Sequence, residues 1–152
     1  MSGTQEGAPK LDEELRQLLA EVRLLEGSAQ TLQLRLDIIN SSLGEAMLTK
    51  ATLEGMKGKP PGTELLIPIG SGSFLRASLL DGERVVMGIG ANVSMERSFD
   101  ESISELARRI EELEKARASV QEQLAQILAR AEQDRNRIRE ILSERGGYVE
   151  VV

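Results

Sequence analysis

Apolar residues recur at alternating steps of four and three along the first third of the chain. This spacing is typical of one helix face that packs in a coiled-coil seam. It predicts a helix over residues 11–55, which the glycines and prolines of residues 55–61 bring to an end. The residues before it are small and polar, so Met1–Pro9 is expected to have no regular structure. The seam contains Leu11, Leu15, Leu18, Val22, Leu25, Ala29, Leu32, Leu36, Ile39, Leu43, Ala46, Lys50 and Leu53.

A second seam with the same spacing follows Ser98 and predicts a helix over residues 98–145. Ser98 and Glu101 have the spacing of a capping box, and Gly146 begins a pair of glycines that ends the pattern. The remaining tail, residues 146–152, includes the apolar segment Tyr148–Val152, which is either without structure or an additional apolar surface. The seam contains Ile103, Leu106, Ile110, Leu113, Arg117, Val120, Leu124, Ile127, Ala131, Asp134, Ile138 and Ile141.

Three residues are polar at seam positions: Lys50, Arg117 and Asp134. A polar residue in a coiled-coil core can fix the register and the partner at a cost in stability. The alternative is that these positions loosen the seam so that it can open. We favour the first interpretation.

Between the helices the apolar spacing changes to alternation, which predicts four short strands in an insert over residues 64–97. Asp81-Gly82 separates the second and third strands and has the chemistry of a two-residue hairpin turn. Segments 70–73 and 90–91 supply the other turns. Ile69-Gly70 and Ile89-Gly90 echo each other, which suggests a repeated strand–turn–strand unit.

The two apolar seams need partners, and each can serve the other if the chain folds back on itself. The predicted fold is α+β: a long antiparallel two-helix coiled coil with a four-stranded insert, in a single domain over residues 1–152. Placing Leu53 opposite Ile103 puts Leu15 opposite Ile141. The insert is too small to be stable alone, so strands from other subunits are expected to complete it in an obligate oligomer.

Composition excludes several function classes. The chain has no Cys and no His, so thiolate catalysis, disulfides, Cys-ligated metals and imidazole general bases are absent. Carboxylate catalysis and a Mg²⁺ site stay open on composition alone, but neither an enzyme activity nor a cofactor is expected. The net charge of −6 disfavours nucleic-acid binding. No apolar run reaches the roughly 20 residues of a membrane span, and Met1–Lys10 does not resemble a secretory signal. A cytoplasmic location is the default expectation.

Two segments of the insert carry a family resemblance. Residues 64–77 read Glu-Leu-Leu-Ile-Pro-Ile-Gly-Ser-Gly-Ser-Phe-Leu-Arg-Ala, and residues 85–96 read Val-Val-Met-Gly-Ile-Gly-Ala-Asn-Val-Ser-Met-Glu. These segments resemble the signature of prefoldin alpha subunits of the archaeal type. The order helix, four strands, helix matches that family over essentially the whole chain, and an insert of two β-hairpins resembles the alpha class.

The resemblance implies a molecular chaperone that uses no ATP. It implies a hetero-hexamer of two alpha and four beta subunits, whose β-barrel hub is completed by oligomerisation. The family captures unfolded polypeptides at the ends of its coiled coils and delivers them to a group II chaperonin. The alternative function is a structural coiled-coil scaffold or tether, which would have no need of the strand insert.

Two sets of residues follow as candidate sites. Helix ends fray because their terminal backbone groups lack partners, so clients are expected to bind where both termini lie. The client-binding candidates are Leu11, Leu15, Leu18, Leu19, Ile138, Ile141 and Leu142. The oligomerisation candidates are Leu65, Ile67, Ile69, Phe74, Leu79, Val85, Met87, Ile89 and Val93.

Overall fold

The computed structural model describes residues 3–146 and contains two long helices with four strands between them. The predicted order of elements is confirmed, whereas the tail Tyr148–Val152 lies outside the described residues. The elements are α1 Gly3–Met56, β1 Glu64–Gly70, β2 Ser73–Ser78, β3 Arg84–Gly90, β4 Val93–Ser98 and α2 Phe99–Glu144.

Helix α1 begins eight residues before its predicted start. The expectation that Met1–Pro9 has no regular structure is therefore wrong from Gly3 onward. Pro9 lies inside the helix and removes one backbone donor. Since each residue added to an existing helix gains a backbone hydrogen bond, a long helix can extend through one such defect.

The other helix ends follow the sequence signals. The hydroxyl oxygen of Ser98 accepts a hydrogen bond of 3.1 Å from the backbone N–H of Glu101, which caps the start of α2. Gly58 and Gly146 have positive φ just after α1 and α2, where glycine ends a helix most easily. The predicted helix boundaries at these three ends hold to within one residue.

The strands form two separate antiparallel hairpins of the same design, β1 with β2 and β3 with β4. Each hairpin turns through two residues of positive φ, Ser71-Gly72 in the first and Ala91-Asn92 in the second, as type I′ turns require. Each register also shifts just before its turn, at Gly70 and at Gly90. The repeated strand–turn–strand unit suggested by the sequence is confirmed.

The hairpin turn predicted at Asp81-Gly82 is wrong, because β2 and β3 are not paired there. The segment instead joins the two hairpins. The carboxylate of Asp81 accepts hydrogen bonds from the N–H groups of Glu83 and Arg84, and these bonds lower the pKa of Asp81. Gly82 is buried against the backbone of Lys59. A glycine is therefore needed here for lack of space, and not because the chain makes a hairpin turn.

We predict that Gly82→Ala destabilises the chain by about 1–3 kcal/mol, the usual cost of overpacking a closed site. A Cβ at this position would lie 2.6 Å from the backbone oxygen of Lys59, so the backbone must shift. The measurement is the free energy of unfolding in denaturant. Gly88→Ala is the matched control, because a Cβ there meets nothing within 4 Å. Equal stability of the two variants would contradict the close approach.

The chain divides into two compact units, each built on both helices. Within the described residues, the first unit comprises 3–39 and 116–146, and the second comprises 40–115. Buried seam residues form the core of the first unit, among them Val22, Leu36 and Val120. In the second unit one face of hairpin β3–β4 packs on the helices. That core contains Ala46, Leu53, Met87, Phe99 and Leu106, with Met56, Val85, Ile103 and Ile110 against it.

Candidate functional site

The predicted client-binding residues lie together in the first unit, and we call this cluster the terminal end. Leu19 is its most open member, with 46% of its surface exposed. Ile141 is fully buried, at 0% exposure, and therefore contacts other molecules only if the helices separate. The remaining members, Leu11, Leu15, Leu18, Ile138 and Leu142, are half-buried.

Ion pairs between α1 and α2 flank these apolar residues. The carboxylate of Glu14 accepts two hydrogen bonds from the guanidinium of Arg137, at 2.8 and 3.2 Å. Asp12 pairs with Arg145 closer to the chain ends. The hydrogen bond from Arg137 lowers the pKa of Glu14, because it stabilises the charged carboxylate.

The ion pairs also define how the helices run in this unit. Glu14 pairs with Arg137 and Glu21 pairs with Arg130, so seven residues forward in α1 match seven residues backward in α2. Both pairs flank the seam in the way expected of an antiparallel coiled coil. They agree with the predicted register that puts Leu15 opposite Ile141, and a slip by one heptad would separate them.

The ion pairs that cross the terminal end add little to its closure. The ion pairs that cross it are partly exposed to water, and such pairs typically contribute about 0.2–1 kcal/mol each. The last turns of both helices also lack backbone partners. Apolar packing, above all that of the fully buried Ile141, is therefore the main resistance to opening this end.

A second apolar surface lies on the hairpins of the second unit. Alternate residues of a strand share a face, so Leu66 and Pro68 lie on the same face as Phe74 of the neighbouring strand. Leu66 and Phe74 are exposed, as are Ile67 and Leu75 on the opposite face. Hairpin β1–β2 thus carries exposed apolar side chains on both faces.

The structure divides the predicted oligomerisation residues into three groups. Met87 is buried and Val85 packs beside it, so these two belong to the chain's own core. Leu65 and Leu79 are half-buried. Those left exposed for a neighbouring subunit are Ile67, Ile69, Phe74, Ile89 and Val93.

Other exposed apolar residues of the hairpins were missed by the sequence analysis: Leu66, Leu75, Val86 and Met95. Strict alternation assigned Leu66 and Val86 to a solvent-facing side of their strands. The available signal was the unbroken apolar run of residues 65–69, because strands that are covered on both faces lose the alternation.

The polar seam residues differ in their surroundings. Asp134 is 3% exposed, and its Oδ2 has no hydrogen-bond partner among the described residues. The Nε of Arg130 lies 3.5 Å from the other carboxylate oxygen and also donates to Glu21. Burial raises the pKa of Asp134, and the charge of Glu21 raises it further. Lys50, by contrast, is partly exposed and pairs with Glu54.

Within residues 3–146, no cluster of acidic side chains is placed to hold a metal ion. Neither α1 nor α2, as far as they are described, has a segment apolar and long enough to cross a membrane. The arrangement that the structure does provide is two apolar surfaces, one at the terminal end and one on the hairpins.

Comparison with known proteins matches residues 25–144 to the profile of prefoldin subunits. The chain belongs to the prefoldin family. It is 38% identical to prefoldin subunit alpha of Methanopyrus kandleri, over 76% of this chain and 73% of that one. It is 35% identical to prefoldin subunit alpha of Pyrococcus horikoshii, over 76% of this chain and 79% of the other.

Among solved structures, a chain of filamentous PFD from Methanocaldococcus jannaschii is similar, with a TM-score of 0.48 and 24% identity. The match covers 80% of this chain and 94% of the other. The resemblance to prefoldin alpha subunits that the insert suggested is thus confirmed by the sequence relatives.

Proposed function

We propose that this chain is the alpha subunit of a prefoldin chaperone that holds unfolded polypeptides without using ATP. The observation that carries the proposal is the terminal end, where aliphatic side chains gather at the ends of both helices and the ion pairs that flank them are partly exposed. A surface of this kind binds apolar segments without regard to their sequence. Membership of the prefoldin family supports the same function.

Assembly is the second part of the proposal. Two subunits of this type join four beta subunits in a hexamer, and their hairpins form a shared β-barrel hub. The exposed apolar faces and unpaired edges of hairpin β1–β2 support this role, because a two-stranded hairpin is at best marginally stable alone. Several terminal ends around one hub bind a client with higher avidity than one. The hexamer then passes its clients to a group II chaperonin in the cytoplasm.

The proposal predicts that a client-binding variant loses capture but keeps assembly. The variant changes Leu15, Leu19, Ile138 and Leu142 to Gln and leaves Ile141, which is fully buried, untouched. Each aliphatic side chain contributes roughly 1.5–3 kcal/mol when buried against a client. Because about 1.4 kcal/mol corresponds to a factor of ten, capture is expected to fall at least about tenfold.

Capture is measured by light scattering as a denatured enzyme is diluted into the hexamer without nucleotide. The control variant changes Met47, Leu48 and Leu128 to Gln, three exposed apolar residues outside the terminal end. The control is expected to suppress aggregation as the unmodified chain does. If the client-binding variant also does so in an intact hexamer, this end of the chain does not bind clients.

A further inference from the structure

Helix α1 of the first unit carries a second apolar stripe, on the side away from the seam. It follows steps of four and three through Ala20, Leu24, Gly27, Thr31, Leu34 and Ile38. Leu24 is 74% exposed and Leu34 is 65% exposed. The equivalent positions of α2 are polar apart from one alanine: Ser119, Glu122, Gln126, Ala129, Gln133 and Asn136. The apolar character of the outer surface is therefore specific to α1.

The stripe is self-complementary when read in opposite directions. Leu24 and Leu34 are equally far from Ala29 along the helix, and so are Gly27 and Thr31. Two copies of α1 placed antiparallel about this point would set Leu24 of each against Leu34 of the other. Their small residues would meet at the centre. A surface that matches itself in this way is what a two-fold symmetric interface requires.

Gly27 has no role within the chain that accounts for it. An exposed glycine inside a helix destabilises the helix relative to alanine, and a Cβ added here would meet nothing within 4 Å. A depression of about 500 Å³ beside Gly27 lies in the groove between the helices, since Gln123 and Ile127 of α2 line it together with Leu24 and Thr31 of α1. The glycine lets the backbone of a second helix approach α1 closely, because small residues leave room between two helices.

The charges beside the stripe fit the same arrangement. Residues that flank such a pair meet diagonally and not at equal distances from Ala29. Arg16 of one copy therefore faces Asp37 of the other, which places opposite charges together. Arg23 faces the uncharged Gln30. Between residues 27 and 39 the only charged side chains are Arg35 and Asp37, so like charges are not brought together at the centre.

We propose that this stripe is an interface between two copies of the chain, which pair antiparallel through α1. The contact is separate from the hairpins and from the terminal end, so it goes beyond the proposed chaperone function. In the proposed hexamer the coiled coils start from one hub and their α1 helices run the same way, so an antiparallel contact would join alpha subunits of neighbouring assemblies.

Because the chain has no cysteine, engineered disulfides report the contact directly. Two full-length variants, Gly27→Cys and Thr31→Cys, are oxidised separately and as an equal mixture. A disulfide forms only where Cα atoms come within about 7 Å, so the antiparallel pair predicts a mixed dimer that forms far more readily than either homodimer. Disulfides of Gly27→Cys with itself at the same level would indicate a parallel contact and overturn the proposal, as would the absence of any dimer.

A second variant tests whether the leucines drive the contact. Adding Leu34→Glu to both cysteine variants is expected to reduce the yield of mixed dimer about tenfold or more, because central apolar residues dominate the affinity of an interface. Leu128→Glu is the matched control, since Leu128 is an exposed leucine of α2 outside the stripe, and it should leave the yield unchanged. If the mixed dimer forms equally well with Leu34→Glu, the leucines do not drive the contact and the proposal is overturned. The proposal is also overturned if the mixed dimer forms only when a denatured protein is added, because that protein would then bridge the two copies.

Discussion

Changing Leu66 and Phe74 together to lysine is expected to abolish assembly of the chain with beta subunits. Both side chains are exposed on one face of hairpin β1–β2, where the proposed hub would bury them. An ammonium group buried without a partner costs several kcal/mol, and two of them exceed what a small strand interface can offset. The mass of the assembly, measured by light scattering after mixing with a beta subunit, should fall to that of the separate subunits.

A control for surface charge is available on the helices. Leu48 and Leu128 are also exposed leucines, and changing both to lysine adds the same charge away from the hairpins. This control is expected to assemble normally, and both variants should keep the helix content of the unmodified chain. If the Leu66 and Phe74 variant reaches the full mass, the proposed hub does not use this face of the hairpin.

Changing Asp134 to leucine is expected to stabilise the helix pair of the first unit at neutral pH by about 1–4 kcal/mol, the range found when apolar residues replace buried ionic groups. Asp134 is buried with one oxygen unpartnered, and its partner Arg130 is shared with Glu21. Leucine suits the same seam position. Denaturant unfolding near pH 7 measures the difference, and a destabilised variant would show that the carboxylate supports the seam.

The gain should depend on pH. Burial raises the pKa of Asp134 in the folded chain above its ordinary value. The carboxyl is protonated in both folded and unfolded chains below that ordinary value, and the cost of burying its charge develops only as the pH rises through the folded pKa. The stability difference between Asp134→Leu and the unmodified chain should therefore shrink as the pH falls from 7 toward about 4.

Other carboxylates have the opposite effect on the pH dependence of stability, but they do not change the comparison between Asp134→Leu and the unmodified chain. Hydrogen bonds lower the pKa of Glu14 and of Asp81 in the folded state, so their contribution to stability is lost as the pH falls. Both groups are present in the two proteins being compared. Their effects cancel in the difference, which isolates Asp134.

The long helices could be predicted from the sequence because their apolar spacing is regular over many turns. Helix caps can also be predicted because they depend on neighbouring residues. Ser98 lies three residues before Glu101, whose N–H donates the capping hydrogen bond to it. Turns were less reliable. Asp81-Gly82 has the chemistry of a hairpin turn. Its glycine is instead required because the backbone of Lys59, which is distant in sequence, leaves no room for a Cβ. Only the folded chain shows that close approach.

The candidate sites could be predicted in part. Heptad spacing placed the client-binding candidates in one cluster, but it could not show that Ile141 is buried while Leu19 is exposed. Alternation along the strands likewise could not separate Met87, which the helices cover, from Ile67, which they leave exposed. The two residues occupy equivalent positions of two similar hairpins. Their difference comes from which hairpin packs on the helices.

The ion pairs that cross between the helices of the first unit have a fixed polarity. Their carboxylates come from α1, at Asp12, Glu14, Glu21 and Glu26, and their guanidinium groups come from α2 and the residue that follows it, at Arg130, Arg135, Arg137 and Arg145. A regular seam alone would let α1 pair through it with α1 of another molecule. That contact would set acid against acid, whereas the intrachain pair sets acid against base, so charge discourages two chains from pairing through their α1 seams during folding.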